Sequence, residues 1–319
     1  MTQTELKDSD SVNLDTAHSE AGTIRLQIGD VCCAFRFHDV EIHNRLKDFY
    51  SVFLTDNSPD IMLEMEAFER LNPGNLGKAV RKTQYTHKTN NDFQTTSNII
   101  SGEYDLTNRF IKITGEKRLY DPDSKINHLN RMISLAYYMA CRIKYFETYP
   151  AMMVHGCGIL RQGHTLIFTG PSGVGKSTLA GLCGEQDGEV INDEIVLVSR
   201  PDTVSREVIV RSVPILGAFP CRRIVTAPLR CISLLKQGDK TSVHRLDKTE
   251  AYLRLMRQII TPTCIGHGRK REILSLIADF SMEIISSIPV FELEFNLDRK
   301  ALWQAVGEIE EMVNEEARQ

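Results

Sequence analysis

Gly170-Pro171-Ser172-Gly173-Val174-Gly175-Lys176-Ser177-Thr178 is the stretch on which the reading of this 319-residue chain turns. From Gly170 to Ser177 it satisfies G-x-x-x-x-G-K-[ST]. A polyphosphate needs a concave array of donors, and glycines let successive backbone N–H groups point inward with no Cβ in the way. A lysine at position 176 supplies a point charge for the β- and γ-oxygens, and a serine at 177 offers a hydroxyl to Mg²⁺. Gly170, Ser172, Gly173, Val174, Gly175, Lys176, Ser177 and Thr178 are therefore the expected contacts for ATP, with Mg²⁺ at Ser177. The flanks agree: Thr165–Phe168 reads as a strand and Ser177–Cys183 as a helix whose N-terminal dipole faces the same anion.

Upstream, the apolar run Ala151–Leu160 is separated from that strand by Arg161-Gln162-Gly163-His164, a tight reversal that pairs the two antiparallel. His155 lies in this run, fifteen positions before the loop. The turn by itself would put it away from the loop's tip, so it reads either as a residue near the phosphoryl group or as a core histidine. Downstream, Glu189–Ser199 reads as one strand interrupted by Asp193 and Glu194, seventeen residues beyond Lys176. An acid there is costly to bury unless it meets a cation or a reacting hydroxyl. One reading gives Asp193 a nucleophile's proton and Glu194 a metal role; the other is a strand break with exposed acids.

A strand is expected at Glu207–Val213, followed by a loop-like apolar stretch to Pro220 and then Arg222-Arg223. Ten Lys or Arg against three Asp or Glu lie between Arg211 and Arg257. Arginines can clamp a phosphoryl group or an acidic substrate, and a basic excess is as often a solvated face. Helix Lys270–Ile285, strand Val290–Phe295 and helix Arg299–Glu316 close the chain.

Residues 1–21 are rich in Asp, Glu, Ser and Thr and read as a disordered lead. Residues 22–120 read as a small α+β domain without a chemical motif. It has strands at Ile24–Gly29, Val31–Phe37 and Ile61–Phe68, a helix at Glu41–Leu54, and a hairpin of Ile99–Tyr104 with Arg109–Thr114. Asn72–Asn91 is polar and turn-rich. Residues 121–149 form a connecting helix, Lys125–Phe146, capped by Asp123 or Ser124 with one apolar face. Residues 150–319 form the loop-bearing domain.

Composition sets outer bounds. With 42% hydrophobic and 25% charged residues and a net charge of −4, the chain is an ordinary globular protein with no bias toward nucleic acid or membrane. No run of about 18 apolar residues suits a membrane-spanning helix, and the polar N-terminus lacks a secretory signal's apolar core. Eight scattered cysteines without a C-x-x-C pair argue against a disulfide framework or zinc site. Reduced thiols in a cytoplasm fit them best.

The order His155-Gly156, hairpin, G-x-S-G-x-G-K-S, short helix and acidic strand resembles the catalytic domain of HPr kinase/phosphorylase. The resemblance covers residues 150–200 and extends in element order to about 295. It implies an α/β, carboxykinase-like P-loop kinase domain with a mixed sheet, preceded by a smaller α+β domain. It also implies a general base at Asp193, a metal-binding acid at Glu194 and a histidine near the phosphoryl group at His155. The family usually has aspartate where Pro171 stands, glutamate at Thr178 and an Asp-Asp pair in place of Asp193-Glu194. The implied activity is that of a divergent serine kinase acting on a protein or peptide, assembled as a homo-oligomer. The alternatives are a small-molecule kinase, whose P-loop strand would lack an antiparallel partner ahead of it, and a catalytically silent nucleotide-binding module.

Overall fold

A computed structural model describes residues 22–68, 84–87, 93–96, 100–105, 108–116, 120, 129–145, 151–184, 188–201, 204–215, 217–219, 223–261, 267–296, 298–316 and 318. The expected lead at 1–21 and the caps Asp123 and Ser124 lie outside these residues. The protein is a mixed α/β structure with two sheets and six helices among the described residues.

The first sheet begins with β1 (Thr23–Ile28) and β2 (Val31–Phe37), joined by a turn at Gly29–Asp30 and paired antiparallel. Helix α1 (Val40–Phe49) follows, its first turn capped by Asp39, whose carboxylate accepts from Ile42 N at 3.0 Å. It ends five residues short of the expected Leu54, where the chain tightens into a 3₁₀ turn at Ser51–Phe53. Then come β3 (Ile61–Phe68), β4 (Gln84–His87), β5 (Phe93–Thr96), β6 (Ile100–Asp105) and β7 (Phe110–Glu116). The seven strands lie in the order β1-β2-β3-β7-β6-β5-β4. The expected hairpin at 99–114 is present as β6 and β7. Strands β4 and β5 were not expected: Gln-Tyr-Thr-His and Phe-Gln-Thr-Thr hold β-forming residues but lack the alternation that marks a half-buried strand.

Helix α2 (Leu129–Tyr145) departs from its expected one-faced character. Every residue from Met132 to Cys141 is buried, so this stretch of the helix is enclosed on all sides. The buried Tyr138 hydroxyl donates to Ile260 O at 2.7 Å and accepts from Met153 N at 2.9 Å. One continuous apolar core takes in Leu26 and Phe35 of the first sheet, Ile133 and Ala136 of α2, and Val154 and Val196 of the second sheet.

The second sheet is built from β8 (Ala151–Arg161), β9 (His164–Thr169), β10 (Glu189–Asn192), β11 (Ile195–Ser199), β12 (Ile209–Arg211), β13 (Thr226–Gln237), β14 (Ser242–Arg245), β15 (Ile259–Ile260) and β16 (Val290–Phe295). Helices α3 (Lys176–Gly184), α4 (Lys248–Met256), α5 (His267–Ser287) and α6 (Arg299–Glu316) alternate with them. The turn from β8 to β9 is two residues, Gln162 (φ 50°) and Gly163 (φ 79°), both left-handed as the twist of a tight hairpin requires. Pairings β8–β11, β11–β12, β12–β13, β13–β9 and β9–β8 close into a ring. Within it β9 has β8 antiparallel on one side and β13 parallel on the other. Along these strands alternate residues serve different layers. Ile167, Ile232 and Val290 join the main core, while Phe168, Cys231 and Phe291 join a second core under α3 and α6.

Two expectations are corrected here. The single strand Glu189–Ser199 is two strands, β10 and β11, broken at Asp193–Glu194, because β10 pairs with Gly158–Leu160 of β8 while β11 pairs with Ala151–His155. The strand at Glu207–Val213 shortens to Ile209–Arg211, since Ser212 hydrogen-bonds Val225 in the adjoining loop.

Candidate functional site

The loop Gly170–Gly175 leaves the carboxyl end of β9 and enters α3. Gly173 and Gly175 have φ of +79° and +109°, a region that a side chain makes strained. At Gly175 space forbids one as well: a Cβ would lie 2.7 Å from Cζ of Phe295, at the end of β16. Val174 turns down into the second core at 7% exposure and pins the loop. Gln237, at the end of β13, donates its side-chain amide to Gly173 O at 3.1 Å. The loop thus sits on the carboxyl ends of three parallel strands, β9, β13 and β16, where open α/β sheets bind ligands. Ser172, Ser177 and Thr178 present exposed side chains from the loop and the first turn of α3.

Lys176 is buried at 6% exposure, and its ammonium donates to the loop's own carbonyls, Gly170 O at 3.0 Å and Pro171 O at 3.1 Å. Burial draws its pKa below the ordinary lysine value, while Glu194, Cys157 and Asp193 act in the opposite sense. Burial pushes the Cys183 thiol beneath the loop up to about 12 and the Cys157 thiol well above its usual value.

Strand register decides the place of His155. Gly156 pairs with Thr169, so His155 falls one step further, abreast of Gly170 at the start of the loop. At that point β8 changes partner, and His155 itself pairs with Ile195 of β11. Glu194, the residue before Ile195, therefore meets it, with Nε2 and Oε1 3.7 Å apart. The His155 ring is the main cause of a Glu194 carboxyl held below its usual range; partial burial opposes this and the Lys176 charge adds to it.

Asp193 and Glu194 point in different directions. Asp193 is 2% exposed, its Oδ1 accepts from Phe219 N at 3.1 Å, and Gly217 packs so closely that a methyl there would overlap Oδ1. Glu194 keeps 44% of its side chain accessible. The reading of exposed acids at a strand break therefore fits Glu194 and not Asp193. Sequence reasoning passed over Asn192, which is fully buried and organises this turn. Gln237 was also missed. A lone Asn or Gln carries no spacing signal; only the contacts reveal it.

Arg223 makes a bidentate pair with Glu189 at 2.9 and 2.5 Å, and Arg222 lies outside the described residues. Much of the basic excess between 211 and 257 is neutralised within the chain: Arg211 faces Asp30, Lys236 faces Glu294, Arg245 faces Glu316, and Arg254 faces Glu250 and Glu292.

No helix among the described residues is long and apolar enough to cross a membrane. Neither a protein-family model nor a curated protein matches the sequence. Among solved structures, the Hpr(Ser) kinase/phosphatase from Coxiella burnetii is similar to 51% of this chain and 98% of its own, with 10% identity and a TM-score of 0.30.

Proposed function

We propose that this protein is an ATP-dependent phosphotransferase that moves the γ-phosphoryl group to a hydroxyl, a serine of a protein or peptide. The observation that carries the reading is one convergence. The left-handed glycine loop, the Lys176 ammonium, the split acids of the 193–194 turn and His155 all meet at the carboxyl end of β9.

Transfer of this kind needs positioning and charge neutralisation more than covalent chemistry. The loop amides and the α3 N-terminus would hold the polyphosphate, and the Lys176 ammonium would turn from carbonyl oxygens to phosphate oxygens, which are the stronger acceptors. Asp193 would take the acceptor's proton as the serine Oγ–P bond forms and the bond from phosphorus to the β–γ bridging oxygen breaks, releasing ADP. Ser177 and Glu194 offer an oxygen-only donor set that suits a hard cation. Mg²⁺ held there would neutralise phosphate charge. His155 stands beside Glu194 to orient it or to face the transferred group.

The antiparallel β8 beside the loop strand supports this reading over a small-molecule kinase. The basic stretch argues less for an acidic polypeptide, since Arg211, Arg223, Lys236, Arg245 and Arg254, five of its ten basic residues, meet carboxylates within the chain. What favours a polypeptide acceptor is the additional seven-stranded sheet, which a metabolite kinase does not need. Homo-oligomeric assembly and a cytoplasmic setting belong to the same proposal. The test is incubation of the full chain with γ-labelled ATP and a lysate separated into proteins, peptides and metabolites. Label in protein or peptide is expected. Label confined to metabolites would leave a small-molecule kinase, and bound ATP with no label anywhere would leave a nucleotide-responsive module.

A further inference from the structure

We propose that Asn192 is the positioning residue of the acidic turn, the group that keeps Asp193 and Glu194 on separate tasks. This rests on the phosphotransferase reading for its consequence, but the geometry stands without it. Asn192 ends β10 with no exposure to solvent. Its Oδ1 accepts from two successive backbone amides, Glu194 N at 2.7 Å and Ile195 N at 2.9 Å. Its amide donates to Ile215 O at 3.0 Å. One side chain thus satisfies the donors released where β10 stops and β11 begins, and ties the turn to the 212–219 loop. Such Asx-type bonding is how asparagine competes with a continuing ladder.

The consequence follows from the pleat. An unbroken strand would put Asp193 and Glu194 on opposite faces of one sheet, with both carboxylates' placement set by β8 alone. The capped turn frees them from that rule. Asp193 is carried toward the loop that Ile215 belongs to, where Phe219 N and Gly217 receive it. Glu194 is carried back over β8, where its carbonyl accepts from Gly156 N at 3.1 Å and its carboxylate faces His155. Every polar atom of the Asn192 amide group is committed to backbone, so it contacts neither phosphate nor acceptor. Its effect passes through its neighbours.

The experiment compares the full-length protein with Asn192→Ala and with Asn192→Ser. The serine keeps an oxygen for the turn amides and loses the reach to Ile215. Three measurements are made: Mg-ATP affinity by calorimetry, hydrolysis of Mg-ATP to ADP and phosphate with water as acceptor, and hydrogen exchange at the Glu194 and Ile195 backbone amides by ¹H–¹⁵N NMR. Loss of one positioned group in Asn192→Ala should lower turnover by about 10–100-fold, the scale set by a misplaced catalytic group. ATP affinity should stay within about threefold. Exchange at the Glu194 and Ile195 amides should speed up by at least about tenfold once their common acceptor is gone. Asn192→Ser should fall between wild type and alanine, and it decides the matter if the alanine variant does not fold. Amide exchange and turnover both unchanged in the folded variants would overturn the assignment. A wild type that binds no Mg-ATP would instead sink the phosphotransferase reading, and amide exchange would still judge Asn192.

Discussion

Replacing Gly175 by alanine isolates the steric demand of the loop from its chemistry, because a methyl group adds no charge and removes no donor. Two costs are visible in the structure. The backbone at φ +109° strains a residue with a Cβ, worth about 1–3 kcal/mol. The new Cβ would lie 2.7 Å from Cζ and 3.3 Å from Cε2 of Phe295, a ring that is itself 3% exposed and cannot swing into solvent. Overpacking of that kind costs about 1–3 kcal/mol. The loop will relax part of both, so the combined penalty should be about 2–4 kcal/mol, equivalent to a ~30- to ~1,000-fold effect. It can appear as lost stability or, if the loop shifts to escape the ring, as lost ATP affinity. Chemical unfolding and calorimetric titration of Mg-ATP, run on the same preparation, read the two together. The double variant Gly175→Ala/Phe295→Leu should recover the packing share and leave the backbone share, giving a coupling energy above about 0.5 kcal/mol. Unchanged stability together with unchanged ATP affinity in Gly175→Ala would refute the reasoning, because no route would then remain for the clash and the strain.

Lys176→Ala should lose ATP affinity by about 10–100-fold, the worth of charged hydrogen bonds to the phosphates, while far-ultraviolet dichroism stays native; unaltered affinity in the titration would remove the loop from nucleotide binding. Asp193→Asn should keep ATP affinity and its acceptor oxygen for Phe219 N, yet lower phosphoryl transfer by ~10²–10⁴-fold; near-normal turnover would make Asp193 a purely structural residue. The depressed Glu194 pKa predicts an acid-limb effect. Its contribution to stability is whole above the unfolded value of 4.5 and is lost as pH falls through the lower folded value. Unfolding midpoints of wild type and Glu194→Gln should therefore differ at neutral pH and converge in acid, and parallel curves down to pH 2 would contradict the contact between Glu194 and His155.

Much of this protein was legible in its sequence wherever local chemistry is sufficient. The glycines at 173 and 175 announce left-handed backbone, Arg161-Gln162-Gly163-His164 a tight reversal, and the strand–loop–helix order around them follows. The C-terminal helix, strand and helix were equally plain, because period-2 and period-3.6 patterns persist over their lengths. What the sequence could not give are relations between distant residues. Strand β13 escaped notice because its first half holds Pro228 and Arg230 and reads as part of a basic stretch, yet Cys231–Leu235 is the buried centre of the parallel ladder. The hairpin turn suggested that His155 lay away from the loop. The register Gly156 to Thr169, six residues from the turn, puts it abreast of Gly170 instead. Two adjacent carboxylates looked alike on the page, and only the change of ladder partner at Asn192 buries Asp193 and turns Glu194 to His155. Sequence by itself determined the glycine loop, since its requirement is met by the torsions of the glycines within it. Tertiary structure alone decided which groups face that loop, because burial, register and hydrogen-bond partners are set by strands that meet only once the chain has folded.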